Sequence, residues 1–457
     1  MDAAVAYIAL DNHKYGDYAP YLYKTTNGGK SWKSIANGIP EGTLVWRLVQ
    51  DHVNPNLLFL GTEYGVYVSL NQGEEWHKFS NGMPTISVRD LAIQKRENDL
   101  VAATFGRSFY VLDDYSPLRD ITEDKLKKGA QLFPVKKALQ YIESRGGTSS
   151  QGASFYTAKN PSYGAQFTYF VSEDIKTQQE ARKKAEKDLK KNKQDIPFPG
   201  WEALDAEKNE QKASALLRIT NKDGAKVAEV KGAYSKGLHR VSWNLRQTMP
   251  SAVDIDSETD LGRGIRINVP PGEYTVQLFK KHLGQLTALA QPKIFDVERI
   301  RKNVLANPNA AAHNAYAQNL NALYVRVEQM RKKFQKTTKK IQALTRTLSY
   351  SQGQSTDLHQ LVYDLDKRQL ALDKHLNGSP SKKEVGEKDT PTLSNRLSVA
   401  SRGFYYNTYG PTKMHMESYD MAFSLANSLA GKVDNLAESV DAAITKAETS
   451  GAPLFLE

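Results

Sequence analysis

"TTNGGKSW", residues 25–32, is followed 44 positions later by "SLNQGEEW", residues 69–76. Both read Ser/Thr-x-Asn-x-Gly-x-x-Trp, and each conserved type has a job in a tight turn. Thr25 and Ser69 close one strand. Asn27 and Asn71 can bond nearby backbone amides through their side chains. Gly29 and Gly73 can supply a positive φ. Trp32 and Trp76 open the next strand and are placed to pack against a neighbouring layer. All of these jobs are structural, so the motif is expected to hold strands together rather than to catalyse.

The flanks repeat as well. "PYLYKTT" (20–26) matches "YGVYVSL" (64–70) at an offset of 44, and Asn56–Leu70 resembles Asp99–Asp113, with the pairs Thr62 over Thr104 and Tyr67 over Phe109 each at an offset of 42. Arg47 and Arg89 then occupy equivalent positions. Short runs rich in β-formers, such as "LVWRLVQD" and "NLLFLGTE", separate the turns. A four-stranded unit recurring every roughly 40–50 residues is the pattern of a β-propeller blade. Residues 1–119 are therefore expected to be terminal propeller blades, two and part of a third. A propeller closes with at least about four blades, and open blades expose sheet edges. The remaining blades are expected from an upstream segment or another chain.

The turn resembles the Asp-box, or bacterial neuraminidase repeat, with Asn standing where Asp is usual. The longer stretch His52–Asp120 resembles the last blades of large bacterial secreted proteins described as sortilin-like or glycosyl-hydrolase-like, and the likeness continues towards the C-terminus. The resemblance implies an extracytoplasmic protein: secreted, periplasmic or associated with the outer membrane. The implied role is binding or scaffolding for a protein, peptide or glycan ligand. Two further readings are a glycoside hydrolase whose catalytic acids lie in upstream blades, and a subunit of an outer-membrane assembly.

After the blades, strand runs "AQFTYFVS", "ALLRITNKDGAKVAEVKG", "PPGEYTVQLFKK" and "PKIFDVE" predict an immunoglobulin- or fibronectin-like β-sandwich over residues 130–298, with Asp223-Gly224 as a hairpin turn. A Lys-rich helical insertion, about residues 173–213, interrupts it. Residues 309–457 read as an antiparallel helical bundle. Leu320, Leu323, Val327, Met330, Phe334, Thr337, Ile341, Leu344 and Leu348 step alternately by 3 and 4, which makes one apolar seam along a helix of about 40 residues. A second helix carries Leu358 to Leu376 and a third Leu425 to Val440, giving a chain of multidomain β-plus-α class.

Composition narrows the chemistry. There are no cysteines among the 457 residues, so disulfides, thiolate metal sites and a Cys nucleophile are excluded. Lys+Arg exceed Asp+Glu by 62 to 51. Much of the excess lies in mixed-charge runs such as Ala181–Gln194, which read as a solvated helix rather than a nucleic-acid site. No apolar run approaches the roughly 20 residues of a membrane helix. "DIDSETD" (254–260) alternates acids but lacks the Gly and the closing Glu of a calcium loop, so no metal site and no cofactor are expected. Arg47, Arg89 and Arg107 do not assemble a sialidase site from two blades. Asp113 and Asp114 are the acidic pair available to a glycosidase, which needs two carboxylates roughly 5–10 Å apart. Their place at a strand end favours capping a turn.

Overall fold

The first 112 residues fold as three antiparallel meanders, each returning through tight turns. The first contains β1 (Ala6–Asn12), β2 (Asp17–Thr25) and β3 (Lys33–Ser34). The second contains β4 (Val45–Gln50), β5 (Leu58–Thr62), β6 (Gly65–Ser69) and β7 (His77–Phe79), and the third β8 (Val88–Gln94), β9 (Asp99–Thr104) and β10 (Phe109–Leu112). The computed structural model describes residues 2–127, 129–141, 158–249, 267–300, 310–350, 356–405 and 410–452. The acid-rich stretch 254–260 lies outside them.

Every residue of β5 and β6 is buried. Side chains alternate across a strand, so a sheet covered on both faces favours apolar residues on both, and its buried polar residues, Thr62 and Ser69, are hydrogen-bonded. Leu58, Leu60 and Tyr67 join Leu22, Ile35, Ile39 and Trp76 in a core shared with the first sheet. Phe59, Val66 and Val68 join Val88, Leu91, Leu100 and Ala102 in a core shared with the third. Gly61 permits the closest approach, because a Cβ there would stand 2.7 Å from the Val88 carbonyl oxygen.

The two motif tryptophans differ. Trp76 is 2% exposed, donates Nε1–H to the Ile35 carbonyl at 2.7 Å and its backbone N–H to Asn37 at 3.2 Å. Gly73 sits under Ile35, where any Cβ would lie 2.7 Å from its Cδ1. Trp32 is 41% exposed, so packing against a neighbouring layer holds for one of the pair. Ile35 to Asn37, at the end of the first sheet, are what cover Trp76.

The repeat offset also needs correcting. Thr62 Oγ1 donates to Gly65 O and Thr104 Oγ1 to Ser108 O, so the two threonines correspond, but the third hairpin is one residue longer. Val66 pairs with Gly61 and Phe109 with Ala103. Phe109 therefore corresponds to Val66, not to Tyr67. Phe109 is 69% exposed where Val66 is 1%, because the third sheet's outer face carries no further layer among the described residues.

A 3-10 turn (Ser116–Asp120) and α1 (Glu123–Lys127) lead to two further sheets. One has the order β11 (Ala130–Leu132), β13 (Ala165–Val171), β16 (Gly237–Trp243), and the other runs from β12 (Ala138–Gln140) through β21 (Lys293–Arg299), β19 (Gly272–His282) and β14 (Ser214–Asn221) to β15 (Lys226–Ala233). β13 spans Ala165–Val171. Between it and β14 (Ser214–Asn221) come α2 (Gln178–Lys191) and α3 (Trp201–Asn209). A capping box between Thr177 and Glu180 starts α2, and Arg182 Nε and Nη2 clamp the Glu207 carboxylate of α3 at 2.7 and 2.8 Å. Then follow β15 (Lys226–Ala233), β16 (Gly237–Trp243), a ribbon β17 (Arg246–Gln247) with β18 (Ile267–Asn268), β19 (Gly272–His282), β20 (Gln285–Ala288) on the edge of β19, and β21 (Lys293–Arg299). Aromatic contacts join the two sheets: Phe167 meets Phe295 at 5.5 Å and Trp243 meets Tyr274 at 5.7 Å between ring centres. Burial pushes the Tyr169 and Tyr274 hydroxyls up to about 12. All five sheets belong to one compact unit, residues 1–244 and 271–298.

The second unit comprises residues 245–270 and 299–457. It holds the β17–β18 ribbon, α4 (Ala310–Leu348), α5 (Thr356–Asn377), the short α6 (Pro380–Glu384), α7 (Leu393–Tyr405) and α8 (Lys413–Thr449). Every residue of the seam from Leu320 to Leu348 is buried. Arg326, Lys333 and Lys340 of α4 reach Asn427, Asp434 and Asp441 of α8. Both sets rise by seven, so α4 and α8 run in the same direction with matched heptads. The return path is split. Tyr316 donates to Ala400 O and Arg331 to Ser394 Oγ, in opposite order along the two chains, so α7 descends along the lower half of α4. α5 packs on α4 and α8. Three helices were expected, and α7 is an additional one, packed through Leu393, Leu397 and Ala400. No helix among the described residues is long and apolar enough to cross a membrane.

The contrast between the tryptophans is measurable. Trp76→Ala should cost about 3–5 kcal/mol of stability, as for a buried large-to-small change, whereas Trp32→Ala should cost under about 1 kcal/mol in this chain. Denaturant melts of the two variants check it, and equal losses would contradict the packing described.

Candidate functional site

Two β-bulges create the most chemically distinctive cluster of the first unit. In β4 the ladder to β5 jumps from Val45–Thr62 to Arg47–Gly61, and in β8 the ladder to β9 jumps from Val88–Thr104 to Asp90–Ala103. Trp46 and Arg89 are therefore the extra residues of two equivalent bulges. A bulge re-aims its side chain out of the ordinary alternation. Arg47 consequently corresponds to Asp90 rather than to Arg89, and the two form an ion pair at 3.3 Å.

Both bulged side chains point to one place. The Arg89 guanidinium lies 3.8 Å from the Trp46 ring centre and 5.6 Å from that of Phe105. Glu63, in the turn after β5, accepts from Trp46 Nε1 at 3.0 Å and from Ser87 Oγ at 2.9 Å, and it faces Arg89 at 3.5 Å. From the first sheet, His13 meets Trp46 edge-on at 5.8 Å, and its Nδ1 bonds to Asp11. Three sheets thus build one cluster. The carboxylate fixes the indole and the indole supports the guanidinium, an arrangement worth about 0.5–2 kcal/mol. The Arg89 side chain is still 44% exposed, so it presents a pre-oriented cationic fork suited to a carboxylate or a carbonyl. Arg107, in the turn after β9, makes no ion pair with any described residue.

The motif turns are tied internally. Thr25 Oγ1 accepts from the amides of Asn27 and Gly29 at 3.3 and 3.0 Å, and Asn27 Oδ1 accepts from the Ser31 amide at 3.0 Å. Ser69 Oγ accepts from Asn71 and Gly73 at 3.4 and 2.8 Å, and Asn71 Oδ1 accepts from Glu75 at 3.1 Å. Neither turn is hydrogen-bonded or ion-paired to Trp46, Glu63 or Arg89.

Asp113 and Asp114 follow β10. Asp114, at φ +43°, accepts from the Ser116 amide at 3.2 Å and its hydroxyl at 2.6 Å, capping the 3-10 turn. Arg240 of β16 donates to the backbone carbonyls of both residues at 2.6 Å. Burial and the Asp99 charge push the Asp113 carboxyl up, against the pull of Arg240 and Lys136.

No local sequence signal marks Asp51. It is fully buried, and Arg119, 68 residues later, clamps it with Nε and Nη2 both at 2.8 Å. The Tyr115 hydroxyl donates at 2.6 Å and the Asn54 amide also at 2.6 Å. Burial alone would raise the carboxyl. Arg119, Tyr115 and Asn54 outweigh it and hold Asp51 at about 2. Burial and the Asp51 contact push the Tyr115 hydroxyl up. These bonds tie the second sheet to the 3-10 turn after the third. Among the described residues no group of three or more His, Asp or Glu could hold a metal ion.

No protein-family profile matches the chain, and no curated protein matches it. Among solved structures it is similar to an ancestral GH74 enzyme, at 19% identity and TM-score 0.20, covering 30% of this chain and 21% of that one. It is similar to the GH74 xyloglucanase from Xanthomonas campestris at 15% identity and TM-score 0.18, covering 22% of this chain and 16% of that one. It is also similar to the extracellular domain of a one-component system from B. thetaiotaomicron, at 10% identity and TM-score 0.18, covering 64% of this chain and 30% of that one. The chain spans less than a third of the length of each. Scores this low leave the fold to be read from the sheets themselves.

The Asp51 clamp sets a pH dependence. A carboxyl depressed from about 3.9 to about 2 adds stability above pH 4 that is lost as pH falls from about 4 to about 2. Asp51→Asn should therefore cost on the order of 3 kcal/mol at neutral pH, and its deficit relative to the parent should shrink across that window. Melts at pH 7, 4 and 2.5 check this. A constant deficit at all three would show that the charge contributes nothing.

Proposed function

We propose that the chain is an extracytoplasmic binding or scaffold module. In this reading residues 1–119 are terminal propeller blades, residues 130–298 an immunoglobulin- or fibronectin-like sandwich and residues 309–457 a helical bundle. The missing blades come from an upstream segment or a second chain. The ligand is a protein, peptide or glycan that presents a carboxylate or carbonyl to Arg89.

The observation that carries the reading is the pair of bulges that set Trp46 and Arg89 against each other over Glu63. Bulges disrupt ladder pairing, and here two adjacent sheets break at the same place and aim their extra side chains together. The blade acids support it as well: Glu63 holds an indole, Asp51 an arginine and Asp114 a turn.

A glycoside hydrolase is the second reading, and Asp113 favours it. A carboxyl pushed up by burial and a neighbouring acid is the condition a general acid requires.

One experiment separates them. Screen the full-length protein against acidic and neutral peptides and oligosaccharides, following indole fluorescence for binding and reducing ends for hydrolysis. Arg89→Ala should weaken the ligand by about tenfold or more, with the melting temperature held, because a charge-assisted bond is lost from an exposed site. Asp113→Asn should leave binding unchanged. A loss of roughly a hundredfold in hydrolysis for Asp113→Asn, at unchanged stability, would replace the binding reading with the hydrolase.

A further inference from the structure

A concave site lies where β19 changes partner. Its first half pairs with β21, as far as Val276 opposite Lys293, and its last half pairs with β20, from Phe279 opposite Ala288. Residues 289–292, Leu-Ala-Gln-Pro, span the change, and Pro292 cannot donate to a ladder. The result is a notch beside Gln277, and β11 and the end of the 3-10 turn form its other wall. The cleft has a volume of about 520 Å³, within the range of small-molecule sites.

The lining is unusual in kind. Three glutamines line it, Gln131, Gln277 and Gln291, together with Leu132 and Leu289. Two lysines, Lys125 and Lys293, and one aspartate, Asp120, are its charged residues. Lys125 is paired with Asp120 at 3.4 Å, whereas Lys293 forms no ion pair with any described residue. Gln131 Oε1, shielded from solvent, accepts no hydrogen bond from any described residue. Amides both donate and accept, which suits vicinal hydroxyls, and an unneutralised ammonium beside them suits a carboxylate.

We propose that this cleft binds an acidic saccharide, with the glutamines on ring hydroxyls and Lys293 on the carboxylate. This cleft shares with the Arg89 site only the reading of the chain as a binder, and it lies on different sheets.

The test uses the whole chain and titration calorimetry, with trigalacturonate as the acidic probe and maltotriose as the neutral one. The parent should bind trigalacturonate at least about tenfold more tightly than maltotriose, one charge-assisted contact's worth. Lys293→Gln should abolish that preference. Gln131→Leu should weaken trigalacturonate binding by about tenfold or more while leaving the melting temperature unchanged or raised, because it removes an acceptor without a donor. A merely structural glutamine would instead lower the melting temperature and spare binding. No binding by the parent, or equal affinity for the two probes, overturns the proposal. So does binding that survives both variants. Trigalacturonate binding that is lost in Arg89→Ala and kept in Lys293→Gln overturns the cleft alone and leaves the blade site standing.

Discussion

The first unit depends on β5 serving two cores at once. Phe59 faces one neighbouring sheet while Leu58 and Leu60 face the other, and the one polar side chain on that strand, Thr62, is buried with its hydroxyl bonded to Gly65 O. This two-sided burial brings the first strands of consecutive sheets together. Because those strands approach so closely, side chains released by their bulges can meet. Trp46 and Arg89 reach one another only because Gly61 lets the third sheet close onto the second. The cluster is thus a product of the packing rather than a loop attached to it.

The parts legible in the sequence were those with a period. The paired turns advertise themselves through Asn27 and Asn71 at fixed spacing, and the seam from Leu320 to Leu348 announces a long helix before any contact is known. α7 carried a weaker version of the same signal, in Leu393, Leu397 and Ala400, but its span is too short to stand out beside a Pro- and Gly-broken loop. Single-residue events were not legible. The extra residue between Thr104 and Ser108 moves Phe109 by one position and so onto the opposite face. The bulges at Trp46 and Arg89 shift the correspondence of the arginines in the same way. Asp51 and Arg119 lie 68 residues apart, and nothing local in either stretch predicts their meeting.

Most of the described arginines in the first unit are committed to architecture. Arg119 holds Asp51, Arg182 holds Glu207, and Arg240 holds two carbonyls of the strand end after β10. Against that background Arg89 and Lys293 differ. One is stacked on an aromatic ring and left open to solvent, and the other stands without an opposing carboxylate. Their surroundings differ too: rings and a glutamate around Arg89, amides around Lys293.

The rungs between α4 and α8 have a consequence for how that pair finds its alignment. Sliding α8 by one heptad would set Arg326, Lys333 and Lys340 opposite Asp434, Asp441 and Glu448, three opposite-charge rungs in place of two and an asparagine. The charges therefore fix the direction and the step of the pairing but not its origin. The origin comes from the graded sizes along the buried stripe of α8: alanines at 422 and 426, then Leu429, Val433, Leu436 and Val440, then alanines at 443 and 447. The wide middle of that stripe fits one level of the bundle, and a slipped helix would press its bulk where the alanines belong and leave voids where the leucines were. The electrostatic ladder works as a ruler without a zero mark, and the swelling of the core supplies the zero.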